Sequence, residues 1–228
     1  MSDIYTIYGC GGFAREVMPI LKSNFNKSNP NIKNEFYFID DFQKELKTIN
    51  NTTVLNFENL LKKFSNSKIY CCIAIADKKT RFKLTQKCID NGISLISVIS
   101  SSSIIMDDVN IGTGSIISPF VTITSNVLIG KSFQANIYSY VAHDCKIGDF
   151  VTFAPGVKCN GNVHIEDGVY IGTGSIIYPG TNHKPLTIGK NSKIAAGSVV
   201  KKNVPENSTV IGNPAKLLSR ELLKNIKK

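Results

Sequence analysis

The stretch that decides the fold is "IGTGSIISPFVTITSNVLIG", Ile111 to Gly130. Within it Ile111, Ile117, Ile123 and Ile129 recur at a step of six, and Ser115, Val121 and Val127 stand four residues after the first three. The step extends outward in both directions. Ile99 and Ile105 precede the stretch; Ala135, Val141, Ile147, Phe153, Cys159, Ile165, Ile171 and Ile177 follow it, and all are apolar. Glycine often comes next, as in Ile111-Gly112, Ile129-Gly130, Ile147-Gly148 and Ile171-Gly172. The pattern breaks at His183–Thr187 and resumes at Ile188-Gly189, Ile194 and Val200. A period of six held over roughly eighty residues marks a parallel β-helix built of hexapeptides. Each hexad supplies a short strand and a turn, and three hexads close one triangular coil. The first residue of a hexad points inward and the small fifth residue fills a corner. Coils stacked as parallel strands roughly 4.8 Å apart make a prism on the order of 25–30 Å long.

Such a stack has open ends, and exposed strand edges promote aggregation. The preceding half of the chain is expected to cover the first coil and Val204–Lys228 the last, with "SRELLKNIKK" (Ser219–Lys228) as a basic amphipathic capping helix. Residues 1–98 carry a different pattern. Candidate strands Ile4–Tyr8, Phe36–Asp40, Lys68–Ala76 and Ile93–Ile99 alternate with candidate helices Phe13–Ser23, Phe57–Phe64 and Lys79–Asn91. That alternation predicts an α/β domain with a short parallel sheet. Ser23–Asn34 is polar, contains a proline and reads as a surface loop. The expected organisation is a Rossmann-like half over 1–98, the β-helix over 99–205 and a capping segment over 206–228.

The first strand runs into "YGCGGFAREV" (Tyr8–Val17), with the spacing Gly9-x-Gly11-x-x-Ala14. This is the outline of a dinucleotide-binding turn, in which glycines let the backbone approach a pyrophosphate at a helix N-terminus. A dehydrogenase normally needs a second mononucleotide half, whereas this sheet pattern stops near Ile99. The half that remains suits one nucleoside diphosphate rather than NAD. Gly9, Gly11, Gly12 and Phe13 are the candidate phosphate-holding residues. Asp40 and Asp41 end the second strand, where carboxylates accept bonds from a ribose or a nucleobase N–H. Asp77 and Arg81 follow the third strand and are further candidate nucleotide contacts.

Composition narrows the rest. The chain has 228 residues, 42% hydrophobic and 19% charged, as in an ordinary globular protein. No uncharged apolar run reaches 18 residues, so no membrane span is expected. Asp3 lies just before the first strand, so no secretory leader is expected and a cytoplasmic location follows. Cys10, Cys71, Cys72, Cys88, Cys145 and Cys159 form no C-x-x-C pair and are read as reduced thiols. The formal net charge of +10 favours anionic partners. No basic run with interleaved aromatics appears, so small phosphate-bearing ligands fit better than nucleic acid. No two of the three histidines share a metal-ligand spacing, so no metal is expected.

The hexads, "AAGSVV" (Ala195–Val200) and "VIGNPAK" (Val210–Lys216) resemble the left-handed β-helix acyltransferases. With "IYGCGGFAREV" (Ile7–Val17), "FIDD" (Phe38–Asp41), "AIADKKTR" (Ala74–Arg81) and "YVAHDCKIGD" (Tyr140–Asp149), nearly the whole chain is similar to the bacterial sugar-nucleotide N-acetyltransferases. These share a family with the sialic-acid O-acetyltransferases. The resemblance implies a homotrimer with acetyl-CoA in the groove between neighbouring prisms. It also implies a nucleotide-linked amino sugar held by the α/β domain. The expected reaction is N-acetylation of a dTDP- or UDP-linked 4-amino-4,6-dideoxyhexose for surface glycan. O-acetylation of sialic acid or a related sugar is the alternative.

The same resemblance matches His143 to the family's general base. His143 is third in its hexad, at a turn, and should point out of the prism. Histidine ordinarily titrates near neutral pH, which suits proton removal there. Asp144 is expected to orient the ring through Nδ1, leaving Nε2 for the substrate. Gly161 lies eighteen residues further on, so it should stack one coil above His143, and the resemblance puts oxyanion-stabilising backbone there. Thr152 matches a position where some relatives carry a second histidine at the acetyl end. Gly172, Thr173, Ala195 and Ala196 match the pantetheine channel. Lys201, Lys202 and Lys216 are candidates for the CoA phosphates. His164 is expected on a prism face, and His183 in a structural loop at one corner.

Overall fold

The computed structural model describes residues 3–26, 34–42 and 47–218. The chain divides into two units: Met1–Ser101 with Thr113–Ser118, and Ser102–Gly112 with Pro119–Lys228.

The first unit is an α/β layer. Its elements are β1 (Ile4–Tyr8), α1 (Gly12–Asn26), β2 (Glu35–Ile39), β3 (Lys47–Ile49), β4 (Thr52–Leu55), α2 (Phe57–Lys63), β5 (Ile69–Ile73), α3 (Lys78–Asp90) and β6 (Ser94–Leu95). The strands lie in the order β3-β4-β2-β1-β5-β6, all parallel except the β3–β4 hairpin. Every residue of β1 is buried, as a parallel strand covered on both faces requires. On one face Ala14, Val17, Met18 and Leu21, a helical stripe of α1, pack with Ile7, Phe38 and Cys72. On the other, Phe57 and Leu60 of α2 and Cys88 of α3 pack with Ile4, Ile39 and Cys71.

Three elements of this unit depart from the sequence reading. The β3–β4 hairpin was not expected; it turns on Asn50 and Asn51, with φ of 46° and 56°, the double left-handed geometry that asparagine tolerates in tight hairpins. The single strand expected over Ile93–Ile99 is two. Ser94–Leu95 joins β5, while Val98–Ile99 pairs with Ile116–Ile117. Helix α1 also runs beyond Ser23 to Asn26, into the expected loop.

The second unit is a left-handed parallel β-helix. On one face Thr122 pairs with Tyr140, Tyr140 with Lys158 and Lys158 with Ile176, each a step of eighteen residues. The loop after Gly180 lengthens one coil, so Ile171 pairs with Ile194 and Ile177 with Val200. The inward positions Ile123, Val141, Cys159 and Ile177 are all 0% exposed. Phe133 and Phe153 meet edge to face at 5.2 Å beside the small Ala135. Ile105 departs from the inward pattern and is 39% exposed. At the C-terminal end Thr209–Ile211 pairs parallel with Lys193–Ile194, and Lys216–Leu217 then adds antiparallel to it. That reversal ends the parallel ladder. The expected helix over Ser219–Lys228 lies outside the described residues.

The glycine after the first hexad position has a steric cause. At one corner Gly112, Gly130 and Gly148 stack on one another, and a Cβ on Gly130 would come within 2.7 Å of the Gly148 carbonyl carbon and the Asp149 nitrogen. Aspartates complete the corner. Asp149 Oδ1 accepts from the Lys131 N–H at 2.7 Å, and Asp167 Oδ1 from the Asp149 N–H at 3.0 Å. Gly130→Ala is therefore expected to lower stability by about 1–3 kcal/mol, the ordinary range for overpacking against rigid backbone. A urea unfolding midpoint equal to that of the parent chain would contradict this account of the corner.

Candidate functional site

His143 sits at the corner between strands Tyr140–Val141 and Lys146–Ile147. Its side chain is 61% exposed, and its Nδ1 lies 2.7 Å from Asp144 Oδ2. Asp144 has φ of 59°, a left-handed conformation that aspartate adopts more readily than most residues. A carboxylate on Nδ1 makes that nitrogen the donor and leaves the Nε2 lone pair outward. Asn126, one coil below, donates from Nδ2 to Asp144 Oδ1 at 3.4 Å. Asn126 was not singled out from sequence, although it stands eighteen residues before Asp144.

One coil above, Gly161 meets the imidazole face on. A Cβ there would lie 2.5 Å from Cε1, 2.6 Å from Nε2 and 3.0 Å from Nδ1 of His143. Only glycine leaves room for the ring in this position. The Asn162 N–H donates to the His143 carbonyl at 3.0 Å, which locks the two coils in register.

The other expected residues of this unit divide. Gly172 stacks tightly on the next coil, where a Cβ would meet the Ala196 nitrogen at 2.5 Å. Thr173 and Ala196 are exposed and Ala195 is half-buried at the same corner. Lys201, Lys202 and Lys216 are exposed, with the Lys201 Nζ 5.0 Å from the Tyr178 ring centroid. Thr152 does not fit its expected part: at 2% exposure its side chain has no open surface on which to meet an acyl group. His164 lies on a face in register with Lys146. Partial burial, helped by the Lys146 charge, lowers its pKa. His183 is exposed in the corner loop closed by the Thr181–Lys184 bridge.

In the first unit a cleft of about 950 Å³ opens at the carboxyl ends of β1, β2 and β5. Strand order reverses about β1 here, the place where open α/β sheets bind ligands. Gly9 has φ of 105°, and a Cβ on it would press on the Ala74 oxygen and the Ile75 side chain at 3.3 Å. Nothing lies within 4 Å of a Cβ placed on Gly11. Gly11, Gly12 and Phe13 line the cleft at the start of α1.

The two adjacent aspartates have different duties. Asp41 Oδ2 takes Lys87 Nζ at 2.7 Å and the Tyr8 hydroxyl at 2.6 Å, while Oδ1 takes the Phe57 N–H at 3.1 Å. Burial pushes the Asp41 carboxyl up, but these donors outweigh it and hold its pKa below the ordinary value. Lys87 also lies 4.2 Å from the Phe57 ring centroid. Asp41 thus belongs to the cleft floor. Asp40 accepts the Cys10 thiol at 2.8 Å and the Phe42 N–H at 3.0 Å. Burial, then the bond to Asp40, pushes the Cys10 thiol up to about 11, so it stays protonated near neutral pH.

Asp77 and Arg81 are not among the cleft residues. Asp77 caps α3, accepting from the Thr80 N–H at 2.9 Å and the Thr80 hydroxyl at 2.8 Å. Arg81 is 0% exposed, and its Nη1 donates to the Ile75 and Ala76 carbonyls at 2.8 and 3.0 Å. Burial pulls its pKa down to about 10. Both shape the connection from β5 to α3. The same helix instead lines the cleft with Lys79, Lys83 and Lys87, whose four-residue spacing is visible in the sequence. Among the described residues no group of three or more His, Cys, Asp or Glu side chains is arranged to hold a metal ion. No helix among them is long and apolar enough to cross a membrane.

Residues 5–88 match the family model described as the PglD N-terminal domain. The chain is 45% identical over 224 residues to the GDP-perosamine N-acetyltransferase of Escherichia coli O157:H7, covering 96% of this chain and 97% of that protein. The structure of WeeI from Acinetobacter baumannii AYE matches with a TM-score of 0.89 at 47% identity, over 95% of this chain and 100% of that one. PerB from Caulobacter crescentus, solved in complex with CoA and GDP-perosamine, matches with a TM-score of 0.79 at 26% identity, over 94% and 97% of the two chains. Whole-length identity, the two-part fold and the hexapeptide corners agree: the chain belongs to the hexapeptide-repeat family of acetyl-CoA-dependent sugar N-acetyltransferases.

Proposed function

We propose that this enzyme moves the acetyl group of acetyl-CoA to the amino nitrogen of a GDP-linked amino sugar, GDP-perosamine or a close analogue, for surface glycan assembly. This replaces the dTDP- or UDP-linked sugar expected from sequence. The observation that carries the reading is the 45% identity, along nearly the whole of both chains, to a GDP-perosamine N-acetyltransferase.

His143 is the general base. Nε2 takes a proton from the sugar amine as its nitrogen attacks the thioester carbonyl carbon. A C–N bond forms and the carbonyl becomes an oxyanion, for which backbone near Gly161 is the nearest rigid polar surface. The oxyanion collapses, the C–S bond breaks, and the CoA thiolate takes the proton from the imidazolium. Asp144, at 2.7 Å from Nδ1, stabilises that imidazolium and fixes the tautomer. The order needs no nucleophilic cysteine, and Cys145 and Cys159 are both 0% exposed.

The exposure of His143 supports a homotrimer. A base 61% open to water cannot by itself exclude solvent from a thioester. A second copy packed against this corner closes the site, with acetyl-CoA in the groove between copies. In this arrangement Gly172, Thr173, Ala195 and Ala196 border the pantetheine arm, and Lys216 meets CoA phosphate.

His143→Ala is expected to lower kcat by about 10²–10⁴-fold, the usual worth of general acid–base catalysis, with the KM for the sugar nucleotide unchanged. Asp144→Asn should lose part of that factor. A wild-type kcat in His143→Ala removes the base assignment. Thiol release with GDP-, dTDP- and UDP-linked amino sugars should give the highest kcat/KM for the GDP series, and the product should survive mild alkali as an amide, unlike an ester. A preference for another nucleotide, or an alkali-labile product, refutes the substrate. Sedimentation should find a trimer; a fully active monomer would contradict the shared site.

A further inference from the structure

Three lysines, Lys79, Lys83 and Lys87, follow one another at four-residue intervals along α3 and all line the cleft of the first unit. Residues at that spacing share one face of a helix. Only one of them is anchored. Lys87 is bonded to Asp41 and Tyr8 and lies over the Phe57 ring. Lys79 and Lys83 are exposed at the cleft and, among the described residues, make no ion pair.

The acids nearby are already committed. Among the described residues Asp40 and Asp41 are the two acids that line the cleft, and both are held by the donors described above. Lys79 is close enough to help lower the Asp77 pKa, but that carboxylate is taken up by the N–H and hydroxyl of Thr80. Arg81, the basic residue between the two lysines, is buried and turned to the Ile75 and Ala76 carbonyls. Among the described residues, the helix therefore presents two ammonium groups that are bonded to no carboxylate to a cavity whose other wall is the open N-terminus of α1 at Gly11 and Gly12.

Resting on the reading of this cleft as the sugar-nucleotide site, we propose that Lys79 and Lys83 bind the diphosphate of the substrate, facing the α1 N-terminus across the carboxyl edge of the sheet. A diphosphate esterified at both ends carries two negative charges, one per phosphorus, and two ammonium groups match them. Lysine binds phosphate as a point charge without fixed fork geometry. The pair thus secures the diphosphate whatever the base, and leaves discrimination between bases to the β2 end of the cleft.

The test is calorimetric binding of GDP, dTDP, UDP and guanosine to the wild-type enzyme, to the double variant Lys79→Gln/Lys83→Gln, and to Lys79→Arg/Lys83→Arg. For whichever diphosphate the wild type binds, the double Gln variant should lose about 10²-fold in affinity, roughly tenfold per charged hydrogen bond. Its affinity for guanosine should not change, its salt dependence should flatten, and the Arg pair should restore most of the binding. In turnover, KM for the sugar nucleotide should rise while kcat and KM for acetyl-CoA stay the same. Retained diphosphate affinity in the double Gln variant overturns this assignment alone. A wild-type enzyme that binds none of the three diphosphates overturns the cleft reading and the lysine assignment together.

Discussion

The β-helix depends on one constraint: the spacing between coils is set by backbone hydrogen bonds and leaves almost no room for variation. Bonds such as Ala142 N–H to the Cys159 carbonyl, at 2.9 Å, and Tyr140 N–H to the Val157 carbonyl, at 2.9 Å, tie each coil to the next. Side chains at one corner are therefore stacked at strand spacing whether or not they fit. Where they do not fit, glycine is required. Gly130 lies against Gly148 for this reason, and Gly161 against the imidazole of His143. The second case turns a packing rule into chemistry. The imidazole proposed as the base is held flat by the coil above, and its Nδ1 is held by the next residue in the same turn.

The first unit solves a different problem. A parallel sheet buried on both faces has its polar groups available mainly at its ends, and its cleft lies at the carboxyl end where strand order reverses about β1. Placing two aspartates there in succession is costly unless at least one is neutralised. Lys87 and Tyr8 do this for Asp41, and the result is a rigid polar floor. Asp40 keeps softer partners, a thiol and one backbone N–H. Adjacent carboxylates in the sequence thus stand in different environments.

Much of this was legible from residues. The six-residue period survives directly because in a β-helix sequence distance and spatial stacking are the same thing, so His143 and Gly161 could be related before any coordinates. The pairing of His143 with Asp144 was legible because the two are neighbours. Arg81 does not fit its expected part because burial cannot be seen in "DKKTR": an arginine just after the third strand reads as a nucleotide contact, yet its guanidinium donates to two loop carbonyls. The resemblance that brought Thr152 forward likewise does not reveal that its side chain is covered. The β3–β4 hairpin escaped notice because its strands are three and four residues long and its Asn-Asn turn is a weak signal.

The sequence by itself determined the period, hence the β-helix, the coil length and the residues that share a corner. It also determined the α/β half, because alternating strands and helices admit few other arrangements. Tertiary structure decided which charges are free. Lys79 and Lys87 look alike in the sequence, but among the described residues only Lys87 has a carboxylate, a hydroxyl and a ring around it. Asp40 and Asp41 look alike, but among the described residues only Asp41 receives three donors. Periodicity is a property of the chain, whereas compensation of a charge depends on groups brought near it from distant strands and helices.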